Sequence, residues 1–459
     1  MIARLLVGLL LATAVIVTGG AGPSQAAPAQ PNADSSTYVA TCLQSARSLS
    51  ALFLFDQSGS LAQTDPDGVR YDGLRVALRS LAQLSRADGR DVAVEAAISS
   101  FDDEYYPAHD VKDWTRLNSG SSDDVNSTVD EMVSAAEKKT QPNGGTNFGV
   151  AMQGAYDDLK DRGTRGSCRV VFWFTDGQDD SQTLASSACQ ASSGLVDQMR
   201  REGIVIVGLQ LYTQTDDLKA ISTGSSNGIN CGQNPVPSDW ADGAYIFASD
   251  TAALRRLFGG LGNLVRGCTP QGDRAGRIDP GVRGMGVTID TPTQATSFRL
   301  DAPDGTVIAA ATTGSTTTAG YNVLAQSDES YVTLTVDFPP GKGAGEWSVS
   351  PGMAVAPDAI SYCAFSGLHL ARVDPKALPA AGGPAEFVYQ AVDAVGQPAD
   401  LGVYKNVAVG ASATTAKGDI RKATAERVGN TIVVHIDSQP VDARLQLNLT
   451  TTLTTTSDL

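Results

Sequence analysis

The chain has 459 residues, more than one hydrophobic core accommodates, so two to four domains are expected. Hydrophobic residues make up 42% and charged residues 18%, a balance that fits folded rather than disordered protein. A formal net charge of −16 excludes nucleic acid as a partner, which requires basic stripes, and opposes docking on anionic lipid.

Residues 1–26 read as a secretory signal peptide. Arg4 supplies the positive start, Leu5 to Thr18 is nearly all apolar, and Ser24-Gln25-Ala26 offers small residues for cleavage. The apolar run is short for a bilayer span, and no second run is long enough to be one. The expected location is therefore extracellular or in a cell envelope, with no membrane span after signal removal. High alanine, glycine and arginine with little lysine point to a bacterial source of high GC content. Residues 27–41, rich in Pro, Ala, Ser and Asn, are expected to form a flexible leader.

A folded domain is placed at 42–268. It starts with the buried strand Leu52 to Phe55, followed by the turn signal Asp65-Pro66-Asp67-Gly68. Apolar spacing predicts a helix over 71–86, then strands at 92–99 and 114–117 and helices at 125–136 and 148–159. A strand at 170–174, a helix at 194–201, a strand at 204–211, a short helix around Leu218, a strand at 245–248 and a closing helix at 251–265 complete it. Strand alternating with helix is the signature of an α/β, doubly wound, mostly parallel sheet.

Past Cys268 the helical period stops, and Gly, Thr, Pro and Val take over. Alternating segments at 286–290, 297–302, 306–310, 331–337 and 346–350, with a tight hairpin at Asp304-Gly305, predict an all-β sandwich (Ig-like) at 274–362. A second β-sandwich at 363–459 rests on 387–392, 403–408, 431–436 and 443–449. The last residues read as a strand and a Thr-rich tail without a sorting signal, so the protein is either released or anchored through something beyond residue 459.

Six cysteines, Cys42, Cys168, Cys189, Cys231, Cys268 and Cys363, favour disulfides in an oxidising compartment, with the pairing left open by arithmetic. No Cys-x-x-Cys occurs, and His109, His369 and His435 are far apart, which speaks against zinc.

Three short motifs carry chemistry: Asp56-Gln57-Ser58-Gly59-Ser60, Gly144-Gly145-Thr146-Asn147 and Thr175-Asp176-Gly177. Each has a plain reading as a polar turn or helix cap. Together they set hard oxygen donors at the ends of strands or the start of a helix, where open α/β sheets bind ligands. Taken in this order they resemble the metal-ion-dependent adhesion site (MIDAS) of the von Willebrand factor A-type domain (vWA), a likeness covering residues 42–268. It implies that Ser58, Ser60 and Thr146 place hydroxyls on a divalent ion, while Asp56 and Asp176 hold it mainly through ordered waters. The ion it implies is Mg2+, with Mn2+ or Ca2+ as substitutes. Hydroxyl and carboxylate oxygens suit such hard ions. Asp102 and Asp103 read as solvated loop charges or as extra ligands.

The resemblance further implies a protein partner that offers an acidic side chain to the metal, so that ion and partner bind with positive coupling. It also suggests a disulfide from Cys42 to Cys268 closing the ring of the domain. Cys42 with Cys168 is the rival, Cys189 with Cys231 the next pair, and Cys168 with Cys363 the remainder. No enzyme is expected. Ser58 lacks the Gly-x-Ser-x-Gly frame of a nucleophile elbow, no phosphate loop follows a strand, and the phosphatase pattern would need an Asp where Ser58 stands. The expectation is a secreted or cell-surface protein-binding protein with its sandwiches as a stalk or a second contact surface. The alternatives are an envelope scaffold that uses the metal only for stability, or an accessory subunit of an enzyme or transporter complex.

Overall fold

The computed structural model describes residues 2–6 and most of 48–455. The stretches of four or more left out within that span are 83–92, 118–121, 140–143, 163–166, 181–186, 262–268, 271–275, 291–296, 353–359, 375–382, 393–397, 416–419 and 438–444. Cys42, Cys268 and the flexible leader lie outside the described residues, and so does the ring closure expected between Cys42 and Cys268.

The first unit is built on β1 (Ser48–Asp56), whose side chains alternate between two apolar layers. Leu49, Ala51, Phe53 and Phe55 enter one core, while Leu52 and Leu54 enter the other. Period-two alternation with both faces apolar is what a strand covered by helices on either side requires. Next come α1 (Leu61–Thr64), α2 (Val69–Ala82), β2 (Ala93–Phe101), β3 (Tyr105–Tyr106), α3 (Ala108–Val111), β4 (Lys112–Arg116), α4 (Ser122–Lys139) and α5 (Phe148–Lys160). The unit continues with β5 (Ser167–Thr175), α6 (Leu195–Arg201), β6 (Ile204–Leu211), α7 (Asp216–Thr223), β7 (Ser225–Ser226), β8 (Ile229–Asn230) and β9 (Ala244–Ala248).

The sheet order is β9-β6-β5-β1-β2-β3, with β4 also on β2. The five long strands run parallel, and β3 and β4 are antiparallel. All five parallel strands therefore end at one edge of the sheet. Helices α2 and α4 cover one face, and α5, α6 and α7 the other. Aromatic rings fill both layers. Phe53 stacks on Phe172 at 5.0 Å, and Trp173 meets Phe101 and Phe148 edge-on at 5.7 and 5.1 Å. Burial of each such ring is worth on the order of 2 kcal/mol. Where described, the expected closing helix is helical at Ala253, Leu254, Phe258 and Leu261, all buried.

Two β units follow. In the first, a six-stranded sheet (269–270, 360–366, 282–290, 331–337, 321–327, 314–318) faces a three-stranded one (307–311, 297–301, 348–351). Met285, Val287, Val323 and Leu334 from one sheet and Phe298, Leu300 and Ile308 from the other share a core. The strand Ile360–Ser366 spans the expected boundary at 362/363 and pairs with both Val282–Asp290 and Thr269–Pro270. By sheet membership this unit runs from 269 to 366. In the second unit, one sheet is ordered 369–374, 385–392, 431–436, 423–428, and the other contains 404–415 and 445–455. Phe387, Ile432 and Val434 meet Leu449 and Val409 between them. Of the expected signal segment, Ile2–Leu6 is described, and it pairs in parallel with residues 448–452.

Candidate functional site

The three motifs converge at the edge where the parallel strands end. Asp56, the last residue of β1, is fully buried. Its Oδ1 accepts from the Ser58 backbone N–H at 2.7 Å, which bends the chain into its turn, and its Oδ2 accepts from the Thr175 hydroxyl. The Ser58 and Ser60 hydroxyls lie 3.0 Å apart, and Ser60 Oγ donates to Asp176 Oδ1 at 2.8 Å. Asp176 Oδ2 accepts from the Thr64 hydroxyl. Asp56, Ser58, Ser60 and Asp176 thus form one hydrogen-bonded chain.

Thr146 reaches the same place from the turn before α5. Gly144 adopts φ +72, and a Cβ on Gly145 would fall 2.7 Å from Asp103 Oδ1, so this turn needs its two glycines. The turn is tied on three sides. Gly59 N–H donates to the Gly144 carbonyl at 3.1 Å, Asn147 N–H to the Asp102 carbonyl at 3.0 Å, and Gly145 N–H to Asp103 Oδ2 at 3.0 Å. Thr146 N–H donates to Asp180 Oδ2 at 3.2 Å while its carbonyl accepts from Asp180 N–H at 2.9 Å. Asn147 caps α5 by accepting from the Gly149 and Val150 N–H groups. Thr146 is 3% exposed, and its Oγ1 would stand 3.1 Å from a Cβ on Gly177, beside Asp176. That hydroxyl has no hydrogen-bond partner among the described residues.

Asp102 is a correction to the reading of a solvated loop charge. It is buried and accepts from Gln57 Nε2 at 3.3 Å, the Glu104 N–H at 2.9 Å and the Tyr106 hydroxyl. Asp102 therefore braces two site loops, and Asp103, exposed, holds the Gly145 turn. Sequence reading did not single out Thr64, Asp180 or Gln210. Gln210, fully buried, donates to the Gly177 carbonyl at 3.0 Å and accepts from Thr215 and Tyr245, linking the Asp176 turn to α7 and β9. The one available signal was Gln210 itself, a polar residue inside an apolar strand.

The electrostatics favour a cation. Burial pushes the Asp56 carboxyl up to about 7, hydrogen bonds from Thr175 and Ser58 pull it down, and Asp176 adds to the rise. No counter-charge is among these influences. A buried carboxylate without one is costly to ionise, and a bound cation relieves that cost. The donor set is all oxygen, with the Ser58, Ser60 and Thr146 hydroxyls beside the Asp56 and Asp176 carboxyls, so these residues fit a hard divalent ion. No group of three or more His, Cys, Asp or Glu positioned for a metal occurs among the described residues, as expected where three of five donors are hydroxyls.

Residues 51–178 match the family model of the von Willebrand factor type A domain. This stretch is a von Willebrand factor type A domain. No curated protein matches the chain. Among solved structures, the chain is similar to a von Willebrand factor type A protein from Catenulispora acidiphila, at 14% identity, 77% of this chain, 63% of that one and a TM-score of 0.32. It is also similar to proximal thread matrix protein 1 from the mussel byssus, at 18% identity, 48% and 46% coverage and a TM-score of 0.30. The pilus adhesin SpaC from Lactobacillus rhamnosus GG gives 11% identity, 89% and 56% coverage and a TM-score of 0.34. The chain spans less than two thirds of each of these proteins.

The first unit carries a disulfide between Cys189 and Cys231, the pair expected next after the ring closure. It joins the segment before α6 to the segment after β8. Cys168 is disulfide-bonded as well. Among the described residues no cysteine is free, and no helix is long and apolar enough to cross a membrane.

Proposed function

We propose that this chain is a secreted or cell-surface binding protein that engages a protein ligand through a divalent ion in its vWA domain. The observation that carries the reading is the convergence of oxygen donors: the Thr146 hydroxyl, on a residue only 3% exposed, stands beside the chain of donors running from the buried Asp56 carboxyl to Asp176. The Asp56 carboxylate at the head of that chain is buried without a counter-charge, a cost that a bound cation relieves. In this reading Ser58, Ser60 and Thr146 hold the ion directly, and Asp56 and Asp176 hold it through water. Mg2+ is the first candidate, with Mn2+ or Ca2+ as substitutes. Its inner ligands would be neutral hydroxyls, so the ion would keep an affinity for a carboxylate on the partner.

The protein residues have separate tasks. Thr175 and the Ser58 N–H fix both oxygens of Asp56, and Ser60 and Thr64 fix Asp176. Asp102, Asp103 and Asp180 hold the Thr146 turn against the β1 turn. The two β units serve as a spacer or a second contact surface, and the protein itself performs no catalysis. The test is retention of a partner from the organism's surface fraction by the immobilised chain, with magnesium and with EDTA. A partner held only with metal, and lost when its critical Glu or Asp becomes Gln or Asn, is the expected result. Retention unaffected by EDTA contradicts the reading.

A further inference from the structure

The loops around this site have a charge pattern that the metal alone does not need. The segments at the sheet's C-terminal edge are 57–68, 102–107, 144–147, 176–180, 212–217 and 249–250. They contain eleven Asp or Glu residues and no Lys, Arg or His, whereas the whole chain has 34 Lys and Arg against 50 Asp and Glu. Asp67, Asp103, Glu104 and Asp180 are exposed on this rim, and Asp216 and Asp217 half-buried. Burial and the neighbouring Asp179 and Asp216 push the Asp217 carboxyl up, as crowded like charges do. The first cation past the β1 loop, Arg70, is 3% exposed and bound to Asp65 at 2.7 Å. Lys219, partly exposed within α7, is a cation that acts on this rim: hydrogen bonds from Ser226 and Asn227, and then Lys219, hold the Asp216 carboxyl below its usual range. Tyr212, at the exit of β6, is 42% exposed and adds an aromatic surface to the same edge.

A rim on which acidic side chains predominate projects a field that selects partners by charge. At its centre is Thr146, a polar side chain 3% exposed whose hydroxyl has no hydrogen-bond partner among the described residues and faces the Asp176 turn. A partner that brought only acidic residues would gain at the metal and lose against the rim. We infer that the partner's contact patch is cationic: Lys or Arg side chains flanking the single carboxylate that reaches the metal. The carboxylate meets the ion, the flanking cations meet the rim carboxylates, and Tyr212 offers its ring to one of them. This inference rests on the metal-centred reading above and adds to it the chemistry of the partner.

The test uses the full chain and three synthetic peptides of equal length with one central Glu, flanked by Lys and Arg, by Gly and Ser, or by Asp. Each has a Gln counterpart, and binding is measured with magnesium and with EDTA. The basic Glu peptide is expected to bind at least tenfold tighter than the neutral one at low salt, and the acidic one not at all. The gain should shrink steeply by about 1 M salt, where screening acts within a few ångströms. It should vanish in the triple variant Asp67→Asn, Glu104→Gln, Asp217→Asn, which still titrates with magnesium. It should persist in Glu346→Gln, Glu386→Gln, Glu426→Gln, which makes the same net charge change on the β units. Equal binding of basic and neutral peptides, no binding of the basic one, a gain that survives the rim variant, or a gain lost equally in the β-unit variant overturns the inference. A basic preference that ignores both EDTA and the change of Glu to Gln keeps the cationic surface and refutes the metal reading, so the two failures are distinguishable.

Discussion

Thr146 is where metal binding and folding stability separate most cleanly. Its hydroxyl is bonded to nothing among the described residues, so removing it costs the fold little. Thr146→Val keeps the branched shape and deletes only that donor. The metal-free variant should unfold within about 1 kcal/mol of the parent, since no hydrogen bond is lost. Its magnesium affinity should fall at least about tenfold, equivalent to roughly 1.4 kcal/mol. Urea unfolding and calorimetric titration of the same preparation check both halves. A variant that binds magnesium as the parent does would remove Thr146 from the site. The residues proposed to bind were legible because their types and order are specific. The residues that brace them were not, since Asp102, Asp180 and Thr64 act through contacts between loops far apart in the chain, which no local pattern announces.

Among the elements, those with a clean apolar period were readable from the chain. Residues 204–211 are buried throughout and formed the strand expected, as did 331–337 and 431–436 in the β units. The strand Gly314–Thr318 was missed because it has no apolar residue; it is held at the sheet edge by backbone pairing and by the Thr317 hydroxyl donating to Asn322 Oδ1 at 2.8 Å. Tyr321–Ser327 buries Tyr321, Val323 and Ala325, but Leu324 on the other face breaks the alternation. Ile360–Ser366 was hidden by the domain boundary drawn through it, because nothing local shows that Thr269–Pro270 returns to pair with it. The loops flanking α6 have a second fastening beside the Cys189–Cys231 bond. The buried Asp197 accepts from Ser192 N–H at 2.6 Å and Gln233 N–H at 2.9 Å. The bond closes a loop of sequence separation 42, which the chain-entropy model values at no more than about 4 kcal/mol. Cys189→Ser with Cys231→Ser should therefore lower the urea midpoint while leaving magnesium binding in place, because neither cysteine touches the site. Loss of metal binding in a folded double variant would contradict that separation.

On the scale of the whole molecule, the three units answer to pH through different groups. Burial pushes the Tyr321 phenol in the first β unit and the Tyr389 phenol in the second up to about 12. In the unfolded chain both titrate near 10. Between these values the folded state keeps protons that the unfolded state has released, so stability is full below pH 10 and falls as pH rises toward 12. Thermal unfolding followed from pH 8 to 12 should show the β units weakening in that window, and Tyr321→Phe should flatten the decline in the first. A decline unchanged in Tyr321→Phe would assign the effect elsewhere. The vWA domain, by contrast, should depend at neutral pH on its cation. Titrating the whole chain with magnesium, beside Asp56→Ala, tests that most directly. One ion bound per parent chain and none by a variant with an unchanged circular dichroism spectrum is the predicted result. A parent that binds no divalent ion, or a variant that binds it equally well, would contradict the account.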